Sequence, residues 1–272
     1  MEEFFYVLQK EVCFMTKHDL ERRKNELGYN DAIISALSGV SLEKIEEIFS
    51  DNPATTITYQ ERNAVENVLK ERDADRVCEG SVPYYGKKQG EFTLDDYYAM
   101  PEDTRVELID GVLYEMLAPT TIHQDFGFQI AHKLQNFIEK NKGKCWVAVA
   151  PVDVQLDCDN KTMVEPDVIV VCNRDKIIKR CVYGAPDFIV EVLSPSTKKK
   201  DLTIKLKKYT EAGVREYWLV DPDAKRVLVY QLEDEVVLNI YGFDSKIPVG
   251  IFGGECEVDF AELYEQIAFL YE

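Results

Sequence analysis

Residues 165–171 read Glu-Pro-Asp-Val-Ile-Val-Val, and residues 186–193 read Pro-Asp-Phe-Ile-Val-Glu-Val-Leu. Both stretches are rich in β-branched and aliphatic residues and are bounded by turn-forming residues, which predicts two strands. Each carries a carboxylate among apolar neighbours, Asp167 in the first and Glu191 in the second. An ionised carboxylate in such surroundings is costly unless a cation or hydrogen bonds compensate it. Carboxylates that converge from neighbouring strands form a site that hard divalent cations prefer, so the sequence predicts metal-dependent chemistry.

A third carboxylate, Glu107, lies in the stretch Arg-Val-Glu-Leu-Ile-Asp-Gly-Val at residues 105–112. The Asp110-Gly111 pair between alternating residues predicts a hairpin. Glu107 is therefore either an outer metal ligand or an exposed hairpin carboxylate, and the sequence leaves both open. Asp187 lies about 13 Å along its strand from Glu191, too far to share one ion, and is interpreted as a strand-entry residue.

The composition describes a chain of 272 residues, 46% of them hydrophobic, with enough apolar material for a core and one or two domains. It has no run of 18 apolar residues, so no membrane span is expected. The first residues are acidic, unlike the basic start of a secretory signal. Seven scattered cysteines without a Cys-x-x-Cys pair predict reduced thiols in a cytoplasmic protein and no zinc knuckle.

The formal net charge of −18 argues against a protein that coats nucleic acid by bulk attraction. It does not exclude a nuclease, because a local basic strip can serve a site inside an acidic protein. Lysines at 198–200 and within 205–208 form such a strip. A solvated helix end is the alternative interpretation for most of them.

Residues 1–78 are predicted to form a separate helical domain, followed by a linker over 79–92 and a second domain over 93–272. Helices are expected at Lys17–Leu27, Asp31–Ser38, from Leu42 to Phe49 after a Ser41 cap, and from about Tyr59 to Arg72. A helix, a short helix, a Gly-containing turn and a helix are typical of a helix-turn-helix unit.

The N-terminal stretch resembles the Cro-like type of phage repressor over about fifty residues, through Arg-Lys-Asn-Glu-Leu-Gly-Tyr-Asn from residue 23 and Ile-Ile-Ser-Ala-Leu-Ser-Gly-Val-Ser-Leu-Glu-Lys-Ile from residue 33. The expected recognition helix carries Glu43, Glu46 and Glu47 against a single Lys44. Residues 1–80 hold 10 Lys and Arg and 17 Asp and Glu. DNA binding by this domain and a helical docking or dimerisation module both remain open, the second being favoured.

In the second domain, a short helix after Thr93 precedes the hairpin, and a long helix runs from about Thr121 to Lys142. Strands are expected at 145–156, 164–172, 188–193, 216–220 and 226–232, with a helix at 201–212 closed by Gly213. His123 opens the long helix beside the expected site, where capping or a buried hydrogen bond is favoured over catalysis. Tyr217 and Trp218 are expected in the core rather than as base-stacking platforms.

This order of elements resembles the PD-(D/E)XK nuclease superfamily, and within it the Uma-type restriction endonuclease family. The resemblance spans about residues 91–265. Its strongest parts are Glu-Val-Leu-Ser-Pro-Ser-Thr at 191–197 and Gly-Val-Arg-Glu-Tyr-Trp at 213–218, beside the three carboxylate-bearing stretches and Lys-Leu-Lys-Lys-Tyr at 205–209. It implies an α/β (α+β) fold, a restriction-endonuclease-like mixed central sheet flanked by helices, here preceded by the small all-α domain.

The resemblance assigns Asp167 as the metal-binding aspartate and Glu191 as the second acidic ligand. The superfamily's lysine would fall at position 193, which is leucine here; Lys205 in the following helix is the matching position. Helical geometry agrees, because Lys205 lies only about 60° from Leu202 in the predicted buried stripe of Leu202, Leu206 and Tyr209. Lys207 and Lys208 fall outside that stripe and are predicted to be solvated.

These observations predict a Mg²⁺- or Mn²⁺-dependent endonuclease that hydrolyses DNA, a hydrolase without membrane contact that could act as a homodimer. Asp167 and Glu191, with Glu107 as a third candidate, would hold the ion, and Lys205 would act on charge at the phosphate. The alternative is a non-enzymatic DNA-binding or regulatory protein that uses a nuclease-like fold for binding or dimerisation.

Overall fold

A computed structural model describes residues 15–50, 58–70, 87–101 and 104–271 of the chain. Contacts between Cα atoms divide the chain into two compact units, Met1–Asp73 and Ala74–Glu272. Residues 79–86 of the predicted linker, and the predicted break around Pro53 and Thr55, lie outside the described residues. The domain boundaries at 78 and 92 therefore stay predictions.

The N-terminal unit contains helices at α1 (Lys17–Leu27), α2 (Asp31–Ser38), α3 (Leu42–Phe49) and α4 (Tyr59–Lys70). The predicted bounds of the first three are confirmed, because local signals set them. Thr16 caps α1 in a capping box with Asp19, and Gly28 ends it with a left-handed φ of 66°. The buried side chains of these helices include Leu20, Ile34, Ile45 and Leu69.

Helix α3 presents an acidic surface. Glu43, Glu46 and Glu47 are exposed, as a solvated helix face would be. Lys44, the basic residue of this helix, forms an ion pair with Glu61 of α4. The described surface of α3 thus offers carboxylates where a recognition helix usually offers basic or amide side chains, and DNA binding by this unit stays a prediction.

The C-terminal unit is built on a six-stranded mixed sheet in the order β10-β9-β8-β7-β5-β3. Its strands are β3 (Trp146–Val149), β5 (Val168–Val171), β7 (Phe188–Val192), β8 (Glu216–Asp221), β9 (Arg226–Gln231) and β10 (Val237–Gly242). Strands β7 and β8 run parallel, whereas the other neighbours are antiparallel. The predicted mixed central sheet is confirmed.

Helices cover both faces of this sheet. Side chains alternate along a strand, so Phe188 and Val190 pack with Phe126 of α6 (Thr121–Lys140) and with α9 (Phe260–Ile267). On the opposite face, Tyr217 lies 4.9 Å, centroid to centroid, from Tyr209. Tyr209 belongs to the run formed by α7 (Lys198–Lys200), a π-helical turn (Asp201–Lys205) and α8 (Leu206–Ala212). Tyr217 and Trp218 are fully buried, which confirms them as core residues.

The predicted hairpin forms a separate two-stranded sheet, β1 (Val106–Ile109) with β2 (Val112–Glu115). Asp110 and Gly111 turn the chain with φ values of 50° and 77°. A side chain at position 111 would lie 2.5 Å from the carbonyl oxygen of Gly90, so glycine is required there. Leu108 bridges to Met163, which fixes the hairpin against the segment that leads into β5.

Further elements complete the unit. The short helix α5 (Leu94–Tyr98) follows the Thr93 cap as predicted. The remaining strands are β4 (Val154–Gln155), β6 (Val182–Tyr183), β11 (Lys246–Val249) and β12 (Cys256–Asp259). Turns of 3₁₀ helix occur at Arg174–Lys176, Gly250–Phe252 and Ala268–Tyr271.

The expectation of reduced thiols is wrong for one pair, because Cys145 and Cys172 form a disulfide. The reason is the register of β3 and β5, in which Trp146 faces Val171, so that the two cysteines just beyond them lie opposite each other. A sequence separation of 27 residues hides this pairing. Among the described cysteines, Cys158, Cys181 and Cys256 are free thiols.

Within the described ranges, every helix is too short or too polar to cross a membrane.

Candidate active site

The sheet brings Asp167 and Glu191 together. Strands β5 and β7 are antiparallel with Val168 facing Val190, so the residues one step outward, Asp167 and Glu191, are opposite each other. One carboxylate oxygen of Asp167, Oδ2, accepts a hydrogen bond of 2.7 Å from the backbone N–H of Val192. The same oxygen lies 3.1 Å from Nε2 of His123. The predicted proximity of the two carboxylates is what this register produces.

Lys205 reaches into the same region from the helix that covers this face of the sheet. Its ammonium nitrogen lies 2.7 Å from Oε1 of Glu107 and 2.8 Å from Oε1 of Glu191. Its side chain is 3% exposed. The hydroxyl of Tyr209 also donates to Glu191 Oε1, at 2.8 Å. The structure therefore places Lys205 at the predicted site, as an ammonium that bridges two buried carboxylates.

Glu107 lies within the protein and not on an exposed hairpin. It is fully buried. Besides Lys205, its carboxylate accepts a hydrogen bond of 2.5 Å from Lys200 Nζ and one of 3.0 Å from the backbone N–H of Glu165. The interpretation of Glu107 as an exposed carboxylate is wrong.

Lys200 is a residue of the site that no local sequence pattern singles out. In the sequence it is one of a strip of lysines, yet in the structure it is 6% exposed and bound to Glu107. Its partner is 93 residues away in the sequence, so no local pattern marks it. The charge of Glu107 is the one signal that could have found it, since a buried carboxylate requires a cation.

A π-helical turn carries part of the site. Lys200 immediately precedes it, and Asp201 and Lys205 are its first and last residues. Single π turns within α-helices are rare and occur frequently at functional sites, because the widened turn redirects side chains. Here Asp201 and Lys205 are both buried beside the sheet carboxylates.

The prediction that Lys208 is solvated is wrong. Lys208 is only 9% exposed, whereas Lys207 is solvated as predicted. Its ammonium nitrogen lies 2.8 Å from Asp110 Oδ1 and 2.5 Å from Asp157 Oδ2. The spacing of apolar residues predicts only which helix face buries hydrocarbon side chains. It cannot predict the burial of a lysine whose charge is compensated by two carboxylates.

The two carboxylates that share the Lys205 ammonium have pKa values shifted in opposite directions. Burial by itself raises the pKa of Glu107, but the charges of Lys200 and Lys205 outweigh it and lower that pKa to about 2. Burial also raises the pKa of Glu191, where Lys205 opposes the shift and the charges of Asp201 and Asp167 reinforce it, so it stays well above its usual range. The pKa values differ because two cations contact Glu107, whereas one cation and several carboxylates surround Glu191.

The other titratable groups follow the same causes. Burial raises the pKa of Asp201 against the opposing charges of Lys205 and Lys200. Burial lowers the pKa of His123, but its hydrogen bond to Asp167 and the charges of Asp167 and Asp201 prevail and raise it. The pKa of Lys205 is raised well above its ordinary value, because Glu107, Glu191 and Asp201 outweigh its desolvation.

A cavity of about 470 Å³ opens onto these groups. Its walls come from the hairpin exit, the start of α6, the Ala150-Pro151 turn and the loop before α7. Its charged lining consists of Arg105, Glu107, Glu165, Asp167, Glu191, Lys200, Asp201 and Lys205, with His123 beside them. Arg105 is the most solvent-accessible of the cations, its side chain being 43% exposed. The cavity thus joins the predicted site to solvent.

The donor chemistry of this cavity fits a hard divalent cation. Several carboxylates line it, and Oδ1 of Asp201 is buried without a hydrogen-bond partner among the described residues. Oxygen-rich sets of this kind are what Mg²⁺ and Mn²⁺ prefer. No three acidic, histidine or cysteine side chains in the described ranges surround a single point as they stand. Lys205 occupies the space between Glu107 and Glu191.

Two residues outside the metal set behave as predicted. Asp187 accepts a hydrogen bond of 2.7 Å from the backbone N–H of Cys172 and lies 3.6 Å from Arg215, which makes it a structural residue at the strand entry. The cap of α6 is Thr120, which accepts from the backbone N–H of His123. The imidazole of His123 instead makes the expected half-buried hydrogen bond, with Asp167 as partner.

A solved structure with a similar fold is that of a putative nuclease belonging to DUF820 from Anabaena variabilis ATCC 29413. The two share 21% sequence identity and superpose with a TM-score of 0.54, over 64% of this chain and 98% of the other. This likeness establishes a nuclease-like fold for the C-terminal unit. No curated protein matches the chain.

The sequence profile of a family described as Uma2, "Putative restriction endonuclease", matches residues 94–249. This match covers more than half of the chain and includes Glu107, Asp167, Glu191 and Lys205. On this match, and with the fold described above, the chain belongs to the Uma2 family, described as "Putative restriction endonuclease".

Proposed function

We propose that this protein is a divalent-metal-dependent endonuclease that hydrolyses phosphodiester bonds of DNA. The observation that carries the proposal is the convergence of Asp167, Glu191 and Lys205 on one solvent-connected cavity. The family membership and the nuclease-like fold support the reaction class. The net charge of −18 favours a confined site over a broad basic surface.

Asp167 and Glu191 would hold Mg²⁺ or Mn²⁺ through their carboxylates. When bound, such an ion supplies Lewis acidity toward a phosphate oxygen and lowers the pKa of water near it. Oε1 of Glu191 is bound to Lys205 and Tyr209, so its other oxygen, Oε2, is the one that would bind the ion. The Lys205 ammonium, held by Glu107 and Glu191, lines the cavity, where it can stabilise negative charge that develops on the phosphate.

Glu107 and Arg105 would have supporting roles in this proposal. Both oxygens of Glu107 are already occupied by ammonium groups and a backbone N–H, so we assign it the positioning of Lys200 and Lys205 in preference to the outer ligand role. Arg105 lines the cavity and is partly solvent-exposed, so its guanidinium is available to a DNA phosphate.

A plasmid-nicking assay tests the proposal. Supercoiled DNA is incubated with Mg²⁺ or Mn²⁺ and with wild-type protein, Asp167→Asn or Asp187→Asn. Asp187 is a matched control, because it also follows a proline and also accepts a backbone N–H at 2.7 Å, yet it does not line the cavity. We expect metal-dependent nicking by wild type and by Asp187→Asn, and its loss in Asp167→Asn.

Equal nicking by all three proteins would place the active site elsewhere. Undetectable nicking by all three, across supercoiled, linear and single-stranded DNA, would favour a non-enzymatic regulator that uses the nuclease fold for binding.

A further inference from the structure

Asp201 is a buried carboxylate that the proposed mechanism has not used. Asp201 is 2% exposed and lines the cavity. Its Oδ1 is shielded from solvent and accepts no hydrogen bond within the described part of the chain. The ammonium of Lys205 lies 3.7 Å from that oxygen, beyond hydrogen-bonding distance, while it binds Glu107 and Glu191 at 2.7 and 2.8 Å.

A buried carboxylate oxygen without a hydrogen bond is rare in folded proteins, because burial removes its hydrogen bonds to water and no protein hydrogen bond replaces them. Such an atom persists where something else compensates it, such as a bound ion. Asp201 differs in this respect from Glu107 and Asp167, which both accept hydrogen bonds from backbone N–H groups. Oε2 of Glu165 also lacks a hydrogen bond, but the Glu165 residue is less buried than Asp201, and its Oε2 lies 3.9 Å from the guanidinium of Arg105. Asp201 lines a cavity that is already rich in carboxylates.

The balance of charges that line the cavity also favours a bound cation. Five carboxylates line it, those of Glu107, Glu165, Asp167, Glu191 and Asp201. Three cationic side chains face them, those of Arg105, Lys200 and Lys205. With all of these ionised and His123 neutral, the lining has an excess of two negative charges. One divalent cation would balance that excess.

We propose that Asp201 is a third ligand of the divalent cation, together with Asp167 and Glu191. This inference rests on the proposed metal-dependent function and specifies the ligand set. It replaces Glu107, whose oxygens are occupied, with a residue whose Oδ1 is available. It also gives the π-helical turn a role, since its first residue would bind the ion and its last would meet the phosphate.

A manganese titration tests the role of Asp201 as a ligand directly, without relying on DNA cleavage. Free Mn²⁺ is followed by electron paramagnetic resonance during titration of wild type, Asp167→Asn, Asp201→Asn, Asp201→Glu and Glu211→Gln. Glu211 is the matched control: it lies on the same helix, and its exposed side chain pairs only with Lys207 at 3.7 Å among described residues. Thermal melts without metal report whether each variant is folded.

We expect Asp201→Asn to weaken Mn²⁺ binding by about tenfold or more, since removing one anionic ligand reduces the charge that holds the ion. Asp201→Glu should recover part of that loss, and Glu211→Gln should bind like wild type. Without metal, Asp201→Asn should melt at or above the wild-type temperature, because it neutralises a buried carboxylate whose Oδ1 lacks a hydrogen bond.

Wild-type affinity in Asp201→Asn, with weakened binding in Asp167→Asn, would overturn this inference and leave the proposed function standing. A lower melting temperature of metal-free Asp201→Asn with undiminished Mn²⁺ affinity would also overturn it, and would make Asp201 a structural counter-ion of Lys205. Absence of Mn²⁺ binding in wild type, or binding unaffected by Asp167→Asn, would overturn the proposed metal site itself.

Discussion

Lys205 and Lys208 lie on the same helix, and each ammonium contacts two carboxylates, yet their surroundings differ. The partners of Lys205 are Glu107 and Glu191, both buried, and its side chain lines the cavity. The partners of Lys208 are Asp110, whose side chain is 64% exposed, and the half-buried Asp157. Lys208 does not line the cavity.

The two lysine–carboxylate clusters therefore have different roles. The Lys208 cluster ties the hairpin turn to the helix at the protein surface, where solvent screens the charges. The Lys205 cluster holds an excess of carboxylates away from water, an arrangement that does little for stability by itself but suits a site that receives a cation. The comparison therefore predicts that equivalent substitutions in the two clusters will have unequal effects.

The largest difference is expected in stability when one carboxylate of each cluster is neutralised. Glu107→Gln leaves Lys200 and Lys205 buried with a lost partner, and removal of one member of a buried ion pair costs about 3–5 kcal/mol. Asp110→Asn removes a pair on an exposed side chain, and should cost under about 1 kcal/mol. Urea denaturation curves measure both. Equal losses would show that the two clusters are energetically alike.

The next difference concerns turnover. If Lys205 stabilises charge at phosphorus, Lys205→Met should lower the cleavage rate by at least about tenfold, or roughly 1.4 kcal/mol of barrier. Lys208→Met should change the rate little, because Lys208 lies outside the cavity. Single-turnover plasmid cleavage compares the two. A similar loss in both variants would mean that the helix, and not Lys205 itself, is what cleavage requires.

A similar free energy is expected from metal binding. Mn²⁺ at about ten times its dissociation constant should stabilise wild type by about 1.4 kcal/mol. For a domain of this size that is a rise in melting temperature of roughly 3–6 °C. Asp167→Asn should lose most of the rise and, without metal, should be at least as stable as wild type, because it relieves repulsion between carboxylates. An equal rise in both proteins would place the ion elsewhere.

The smallest expected effect concerns Glu216, a buried strand carboxylate with no ammonium partner among the described residues. It accepts hydrogen bonds from Trp218 Nε1 and the backbone N–H of Ile251. Burial raises its pKa, against the opposing effect of its hydrogen bonds. A carboxyl whose folded pKa is raised stabilises the protein below its unfolded pKa of about 4.5, and that contribution is lost as the pH rises through the folded value.

Glu216→Gln should therefore gain stability relative to wild type as the pH is raised from about 4 toward 7. Denaturation curves of both proteins over this range provide the measurement. A constant difference across the range would contradict the raised pKa. The result would sharpen the contrast with Glu107, whose two lysines lower its pKa.

Local signals made much of the fold predictable from sequence. The bounds of α1 and α2 follow from capping residues and glycines within a few positions, and the hairpin follows from Asp110-Gly111. The strands that carry Asp167 and Glu191 follow from their β-branched composition, although the first strand begins only after Asp167. The family resemblance supplied Lys205, which propensity alone could not distinguish from its neighbours.

The features that the sequence did not reveal depend on contacts between distant segments. Lys200 is a site residue because Glu107 lies 93 positions earlier. Lys208 is buried because Asp110, 98 positions earlier, compensates its charge. Cys145 and Cys172 pair because of the register between two strands. Asp201 is a candidate ligand because its buried Oδ1 has no hydrogen bond, which is a property of the folded protein.

The hairpin β1–β2 is joined to the helical run from Lys198 to Ala212 through ion pairs. Glu107 and Asp110 on the hairpin bind Lys200, Lys205 and Lys208, so three ammonium groups fasten the two segments. Segments joined in this way open together, because releasing one leaves buried charges on the other. In amide hydrogen exchange, β1 and the helical run from Lys198 to Ala212 should therefore behave as one cooperative unit, despite the many residues between them in the chain.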